Sequence, residues 1–257
     1  MELGLDGKVA LVGGASSGIG LGIATALAAE GVRVALGARR ADLVRAEAER
    51  LDGAIGVDLD VRDAASTSAA VTEVTDRLGP VDILVLNGGG PPPATALEVT
   101  EEMARDAAEL LLYGHLRLVA GCLPGMRERG WGRIVAVSST SIDQPIENLA
   151  TSGMFRSALA AYLKMLADQL ATSGVTVNLL LPGRISTARV DDMDKRAAQA
   201  HDITVEEVQF RSQRSIPAGR YGTVQEFASA AAFLCSASAA YITGQRLRVD
   251  GGLVRGV

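Results

Sequence analysis

Cysteine is scarce in this chain of 257 residues: only Cys122 and Cys235 are present, far apart and in apolar surroundings. Such a pair reads as two buried thiols in a reducing compartment rather than as a disulfide. No apolar run reaches the roughly 20 residues that a membrane-spanning helix needs. The opening Met1-Glu2-Leu3-Gly4-Leu5-Asp6 is acidic and lacks the apolar core of a secretory signal. A soluble, cytoplasmic protein with no membrane partner is therefore expected. There is no basic block either: 25 Lys and Arg stand against 30 Asp and Glu, a formal net charge of -5. That balance argues against nucleic acid as a partner. Linkers, composition shifts and internal repeats are also missing, so a single domain is expected. With 48% apolar residues, the chain is long enough for one large α/β domain with a sizeable core.

What is present is a regular alternation. Short apolar runs at 9–13, 32–37, 55–58, 83–86, 134–137, 176–181 and 247–249 read as strands. Helical stretches near 18–30, 40–51, 64–78, 101–129, 151–173 and 223–236 lie between them. Uniformly apolar strands alternating with helices predict a Rossmann-type doubly wound parallel sheet in three layers, in one α/β domain. Such sheets bind ligands at the carboxyl ends of their strands. One segment breaks the rhythm: 190–214 is polar and charged and follows Pro182-Gly183. Its position suits a substrate lid over the strand ends.

The first strand–helix junction reads Gly13-Gly14-Ala15-Ser16-Ser17-Gly18-Ile19-Gly20. Glycine lets the backbone turn tightly and approach a ligand closely. The unpaired N–H groups of the following helix, helped by its dipole, favour an anion. Gly14, Gly18 and Gly20 at this junction therefore read as a dinucleotide site rather than a plain turn.

With these elements placed, the chain resembles the short-chain dehydrogenase/reductase family over nearly its whole length, and the ketoacyl-carrier-protein reductase type in particular. Gly14 to Gly20 match the family's cofactor loop. Asp60-Val61 match its Asp-Val pair near the adenine, and Asn87-Gly88-Gly89 its Asn-Ala-Gly after the fourth strand. Gly132 to Ser139 match the fifth strand and its active-site serine. Val177-Asn178 and Pro182-Gly183-Arg184-Ile185-Ser186-Thr187 match the sixth strand and the loop under the nicotinamide. Ile216 to Arg220, Ile242 to Gln245 and Val249 to Gly252 match the C-terminal signature. The resemblance implies cofactor contacts from Gly14, Ser16, Ser17, Gly18, Ile19, Gly20, Asp60, Val61, Pro182, Gly183, Ile185 and Thr187. Asn87 and Gly88 are assigned to the cofactor floor, followed by Gly89-Gly90 and the stiff run Pro91-Pro92-Pro93. The resemblance also implies a homotetramer or homodimer paired through helices 101–129 and 151–173. No metal is expected.

Cofactor choice turns on the end of the second strand, Gly37-Ala38-Arg39-Arg40. An acidic residue there would accept hydrogen bonds from the ribose of NAD. Ala38 takes the family's usual acidic position, and Arg39 and Arg40 follow. Guanidinium groups suit a 2′-phosphate, and cations are unhelpful at a helix start for any other reason. NADP(H) is therefore expected over NAD(H).

The family's catalytic residues are Asn, Ser, Tyr and Lys. Tyr protonates the carbonyl oxygen as hydride arrives, Lys lowers the Tyr pKa and holds the nicotinamide ribose, Ser orients the carbonyl, and Asn anchors a water relay. Only the serine, Ser139, is kept. Counting back from Val177-Asn178 puts Ser152 at the Tyr position and Arg156 at the Lys position, and Leu111 falls at the Asn position. Ser152 and Arg156 are four apart on a helix and share a face, so Arg156 can still donate to ribose hydroxyls and keep a cation beside the nicotinamide. It is no proton shuttle, and a serine does not reach as far as a phenol. His115 titrates in the useful range, yet a buried or partner-contacting role is preferred for it and for Tyr113. Tyr162 and Lys164 are discounted, because Tyr162 faces away from Arg156.

Two functions remain. One is an NADP(H)-dependent oxidoreductase acting on a small carbonyl or acyl substrate, or the matching alcohol, with an altered proton route. The other is a catalytically inactive NADP(H)-binding sensor or partner subunit.

Overall fold

The computed structural model describes residues 2–256. Seven strands form one parallel sheet: β1 (Val9–Gly13), β2 (Arg33–Ala38), β3 (Ile55–Asp58), β4 (Ile83–Leu86), β5 (Gly132–Val137), β6 (Val175–Pro182) and β7 (Arg246–Val249). Their order is β3-β2-β1-β4-β5-β6-β7. Every strand of the expected set is found, within two residues at each end.

Nine α-helices are described: α1 (Gly18–Ala29), α2 (Ala41–Ala48), α3 (Ala64–Leu78), α4 (Glu101–Ala108), α5 (Gly114–Glu128), α6 (Ala150–Leu170), α7 (Ala188–His201), α8 (Val205–Ser215) and α9 (Val224–Cys235). The pleat sorts the strand side chains between two cores. Val12, Leu36, Val85 and Val135 are in parallel register and face α1, α2 and α9, where Ile23, Leu27, Val44 and Phe227 pack on them. Leu11, Leu84, Ile134 and Val177 face the other side and meet Val74 of α3, Leu118 and Met126 of α5, and Leu163 of α6. The strands are buried on both faces, which is why they read as continuous apolar runs rather than as alternating ones.

Two expectations change. The helix read as continuous over 101–129 is broken: α4 and α5 are joined by a π-helical turn, Glu109–Tyr113. Such turns insert a residue into the ladder and are common at functional sites. Leu111, at the family's Asn position, is the buried residue of this turn. The polar segment 190–214 is not an irregular excursion but a helical pair, α7 and α8. Thr187 and Thr204 cap their N-termini through side-chain oxygens, and Asp191, Glu206 and Glu207 sit in their first turns, where carboxylates complement the helix dipole. Among the described residues, no helix is long and apolar enough to cross a membrane.

Candidate active site

The strand order reverses between β1 and β4, and a cleft of about 490 Å³ opens at their carboxyl ends. Its walls come from the β1–α1 loop, the end of β2, the stretch after β3, the loop after β4, Leu110 of the π-turn and the start of α7. Gly14, Ser16, Ser17, Gly18, Ile19, Gly20, Arg39, Arg40, Asp60, Val61, Asn87, Gly88 and Thr187 all line it.

The glycine loop is held by Asn87, whose Nδ2 donates to the Gly13 carbonyl at 2.9 Å. Gly14 has φ +58, and a Cβ on it would lie 2.8 Å from that same Nδ2, so both conformation and space require glycine. Ser17 is the N-cap of α1 but makes no side-chain cap. The first-turn N–H groups of α1 are thus left without a side-chain acceptor at the cleft wall, the arrangement that receives a phosphate.

At the β2 end, Arg40 Nη2 donates to Ser16 Oγ at 2.8 Å. This fixes one guanidinium beside a hydroxyl on the cleft wall, with exposed Arg39 next to it. Asp60 is the only acid that lines the cleft among the described residues. Its carboxylate is held by Arg62 at 3.0 and 3.2 Å, which keeps its pKa below the usual carboxylate value.

The residues at the family's catalytic positions gather beyond the end of β5, off the cleft lining proper. Ser139 caps a short 3-10 turn, Thr140–Ile142, and its Oγ accepts from the Ser141 N–H at 3.1 Å. Its own O–H proton is not used by that bond. Arg156, on α6, turns inward: Nε donates to Ser152 Oγ at 3.2 Å, and Nη1 to the carbonyls of Val137 at 3.0 Å and Ser138 at 3.2 Å. Ribose hydroxyls, the partners expected for it, are left only its Nη2. Burial first, and the charge of Arg189 second, push the Arg156 pKa down to about 10.

His115 follows the π-turn and is 3% exposed. Its Nδ1 lies 3.0 Å from the Leu111 carbonyl. A carbonyl only accepts, so Nδ1 carries the proton and Nε2 is a bare acceptor. Burial, with the Arg156 charge adding to it, lowers the His115 pKa to about 4. His115 Nε2, Ser138 Oγ and Ser141 Oγ are buried polar atoms with no partner among the described residues. No phenol joins this group. Tyr113 is 47% exposed, Tyr162 packs on the core, Tyr221 donates to Asp194 at 2.9 Å and Tyr241 is on the surface. Lys164 pairs with Asp168 on the exposed side of α6.

Pro182, Gly183 and Ile185 stand back from the cleft. Pro182 ends β6, the Gly183 N–H donates to the Val249 carbonyl at 3.1 Å, and Ile185 is 2% exposed. They set the path of the loop that delivers Thr187, whose Oγ1 accepts from the Val190 N–H at 3.4 Å. Leu59, Leu110, Ala188 and Arg189 also line the cleft and were not expected. Arg189 carried a signal only once α7 is known: it is a cation in the first turn of a helix, where cations are disfavoured.

Comparison with known proteins agrees with this architecture. A family model described as enoyl-(acyl carrier protein) reductase matches residues 14–254. A protein of Streptomyces virginiae, named as a ketoacyl reductase of the monensin polyketide synthase, is 40% identical, over 96% of this chain and 97% of its own length. L-sorbose reductase from Gluconobacter frateurii, solved with NADPH and L-sorbose, superposes with a TM-score of 0.95 at 32% identity and covers 100% of both chains. Actinorhodin polyketide ketoreductase, solved with NADPH, gives a TM-score of 0.91 at 36% identity, over 96% of this chain and 97% of that one. With its glycine loop, sheet order and full-length relatives in agreement, the chain belongs to the short-chain dehydrogenase/reductase family.

Proposed function

We propose that the chain is an NADP(H)-dependent oxidoreductase that acts on a carbonyl or alcohol substrate through a proton route without a phenol. The observation that carries this reading is the cleft itself. The uncapped start of α1 suits a diphosphate, and the Arg40–Ser16 pair with Arg39, opposite an alanine at position 38, suits a 2′-phosphate. NADPH, when bound, supplies hydride. The protein's part is to orient the substrate and stabilise the oxygen that becomes negative. Ser139 and Ser152 each accept one hydrogen bond within the chain, so each O–H is free to donate to a carbonyl oxygen. Arg156 places a buried positive charge behind Ser152, which favours negative charge on that oxygen. The proton itself then comes from water or from a substrate hydroxyl. The helical pair α7–α8 serves as the lid over the substrate. Exposed Met154 and Met165 on α6 support pairing of subunits through that helix in a homodimer or homotetramer, and the two free thiols suit a cytoplasmic location.

A second reading, cofactor binding without turnover, is favoured by the inward commitment of Arg156. NADPH titration followed by a screen of ketones and acyl thioesters, read from reduced nicotinamide absorbance near about 340 nm, separates the two. Oxidation of NADPH by any carbonyl class supports the oxidoreductase. Tight binding with no turnover across the screen supports the second reading, and absence of NADPH binding overturns both. Restoring the phenol and amine together, Ser152→Tyr with Arg156→Lys, is expected to raise generic ketone reduction.

A further inference from the structure

Positive charge lines the cleft at two separate places. Arg39 and Arg40 follow β2, on one side of the β1–β4 junction. Arg189 enters from the other side, after β6, and Ser139, Ser152 and Arg156 gather behind the lining beyond the end of β5. On the proposed reading, the uncapped start of α1 and the β2 arginines already answer the cofactor's phosphates. The β6-side pair is left over.

Arg189 is placed where a cation is costly. It sits in the first turn of α7, directly behind the Thr187 cap, at the positive end of the helix dipole. Arg156, itself a buried cation, lies near enough for the Arg189 charge to lower its pKa. Of the acids nearby in sequence, exposed Asp191 in the same turn forms no ion pair among the described residues, Asp192 turns toward Lys195 at 3.8 Å and Asp194 to Arg184 at 3.2 Å. Among the described residues no carboxylate pairs with either arginine. The Arg189 guanidinium nevertheless lies close to Gly90 of the loop after β4. A Cβ on Gly90 would lie 2.6 Å from its Nη2, so a side chain at residue 90 would push the guanidinium aside. Two cations with no carboxylate paired to either, Arg189 on the cleft lining and Arg156 behind it with a free Nη2, describe a place for an oxyanion.

We infer that Arg189, backed by Arg156, binds a carboxylate of the substrate, so that the substrate class is a keto acid or hydroxy acid rather than a neutral ketone or ester. This rests on the NADP(H) reading above. The other source of an oxyanion here is the cofactor's own diphosphate, and the experiment distinguishes the two.

Binding of acetoacetate and of methyl acetoacetate is measured calorimetrically on protein saturated with NADP+, which has no hydride to give. Acetoacetate is expected to bind at least about tenfold more tightly than its ester. Arg189→Gln is expected to abolish that preference while leaving the NADP+ affinity within about twofold. Gly90→Ala, which displaces the guanidinium without removing its charge, is expected to reduce the preference. Equal binding of acid and ester, no binding of either at millimolar concentration, or a preference that survives Arg189→Gln would overturn the inference. A tenfold loss of NADP+ affinity in Arg189→Gln with the preference intact would assign Arg189 to the diphosphate and equally overturn it. Failure of the wild type to take up NADP+ would strike the proposed function instead. The comparison of acid with ester on the protein alone would then decide the carboxylate site.

Discussion

Arg156→Met is the substitution whose outcome the structure constrains most tightly, because two large effects oppose each other. Met fills a similar volume but donates nothing. The Val137 and Ser138 carbonyls, which accept from Nη1 at 3.0 and 3.2 Å, lose that partner. A buried acceptor left unsatisfied costs about 1–3 kcal/mol, so the pair costs about 2–6 kcal/mol. Against this, the charge is itself unfavourable where it sits. Burial and the Arg189 charge depress its pKa to about 10, a drop from the ordinary arginine value that corresponds to about 3 kcal/mol against the charged form. The variant should therefore be destabilised by no more than about 3 kcal/mol in urea titrations at neutral pH. The pH dependence has a definite sign. Between about pH 10 and the ordinary arginine value the unfolded chain keeps the proton that the folded chain has released, so wild-type stability rises with pH there. Below pH 10 the penalty is constant. Wild type should gain on Arg156→Met above about pH 10 and run parallel to it from pH 7 to 9. Loss of an electrostatic partner for the developing oxyanion should meanwhile lower turnover by about 100-fold or more. A destabilisation beyond about 5 kcal/mol, or a wild type that loses ground to the variant as pH rises past 10, would overturn this, since it would mean that a counter-charge makes Arg156 a stabilising cation.

Three further outcomes are expected. Arg40→Ala and Arg39→Ala should each weaken NADPH binding by about tenfold or more and leave NADH binding nearly unchanged in fluorescence titrations, and Ala38→Asp should move the preference toward NADH. His115→Phe should remove part of the acid sensitivity of the fold. The folded histidine stays neutral down to about 4 while the unfolded one protonates at its ordinary value, so wild-type stability falls between those pH values by up to about 3 kcal/mol and the variant's does not. Asp194→Ala, which strips Arg184 and Tyr221 of a carboxylate that is 0% exposed, should cost about 2–4 kcal/mol and speed hydrogen exchange in α7 before the sheet opens.

The sheet was readable from sequence because both of its faces are covered. Burial on two sides makes each strand a continuous apolar run, and the helices between the strands alternate with them without exception up to β6. The glycine loop was readable for a related reason, since a turn against Asn87 tolerates few side chains. The helical pair at 188–215 was not foreseen because it is almost wholly polar, and the signals that start it, Thr187 and Thr204, are caps rather than periodic apolar positions. The π-turn at Glu109–Tyr113 carries only the apolar run Leu110-Leu111-Leu112-Tyr113, which a continuous helix would hold equally well. Sequence placed Ser152 and Arg156 on one helical face, and the Nε–Oγ bond between them agrees. It did not reveal that Arg156 would spend its other donors on the β5 carbonyls, because backbone acceptors at a strand end have no residue signature. Arg189 was missed for want of α7.

The central claim is that hydride leaves NADPH for a carbonyl in a site with no phenol. It is tested most directly by incubating the protein with NADPH deuterated at the transferred position and a panel of keto acids, ketones and acyl thioesters, then weighing the alcohol products by mass spectrometry. One deuterium per alcohol formed is expected, with little or no alcohol formed by Ser139→Ala. Tight NADPH binding with no deuterated alcohol from any member of the panel would contradict it.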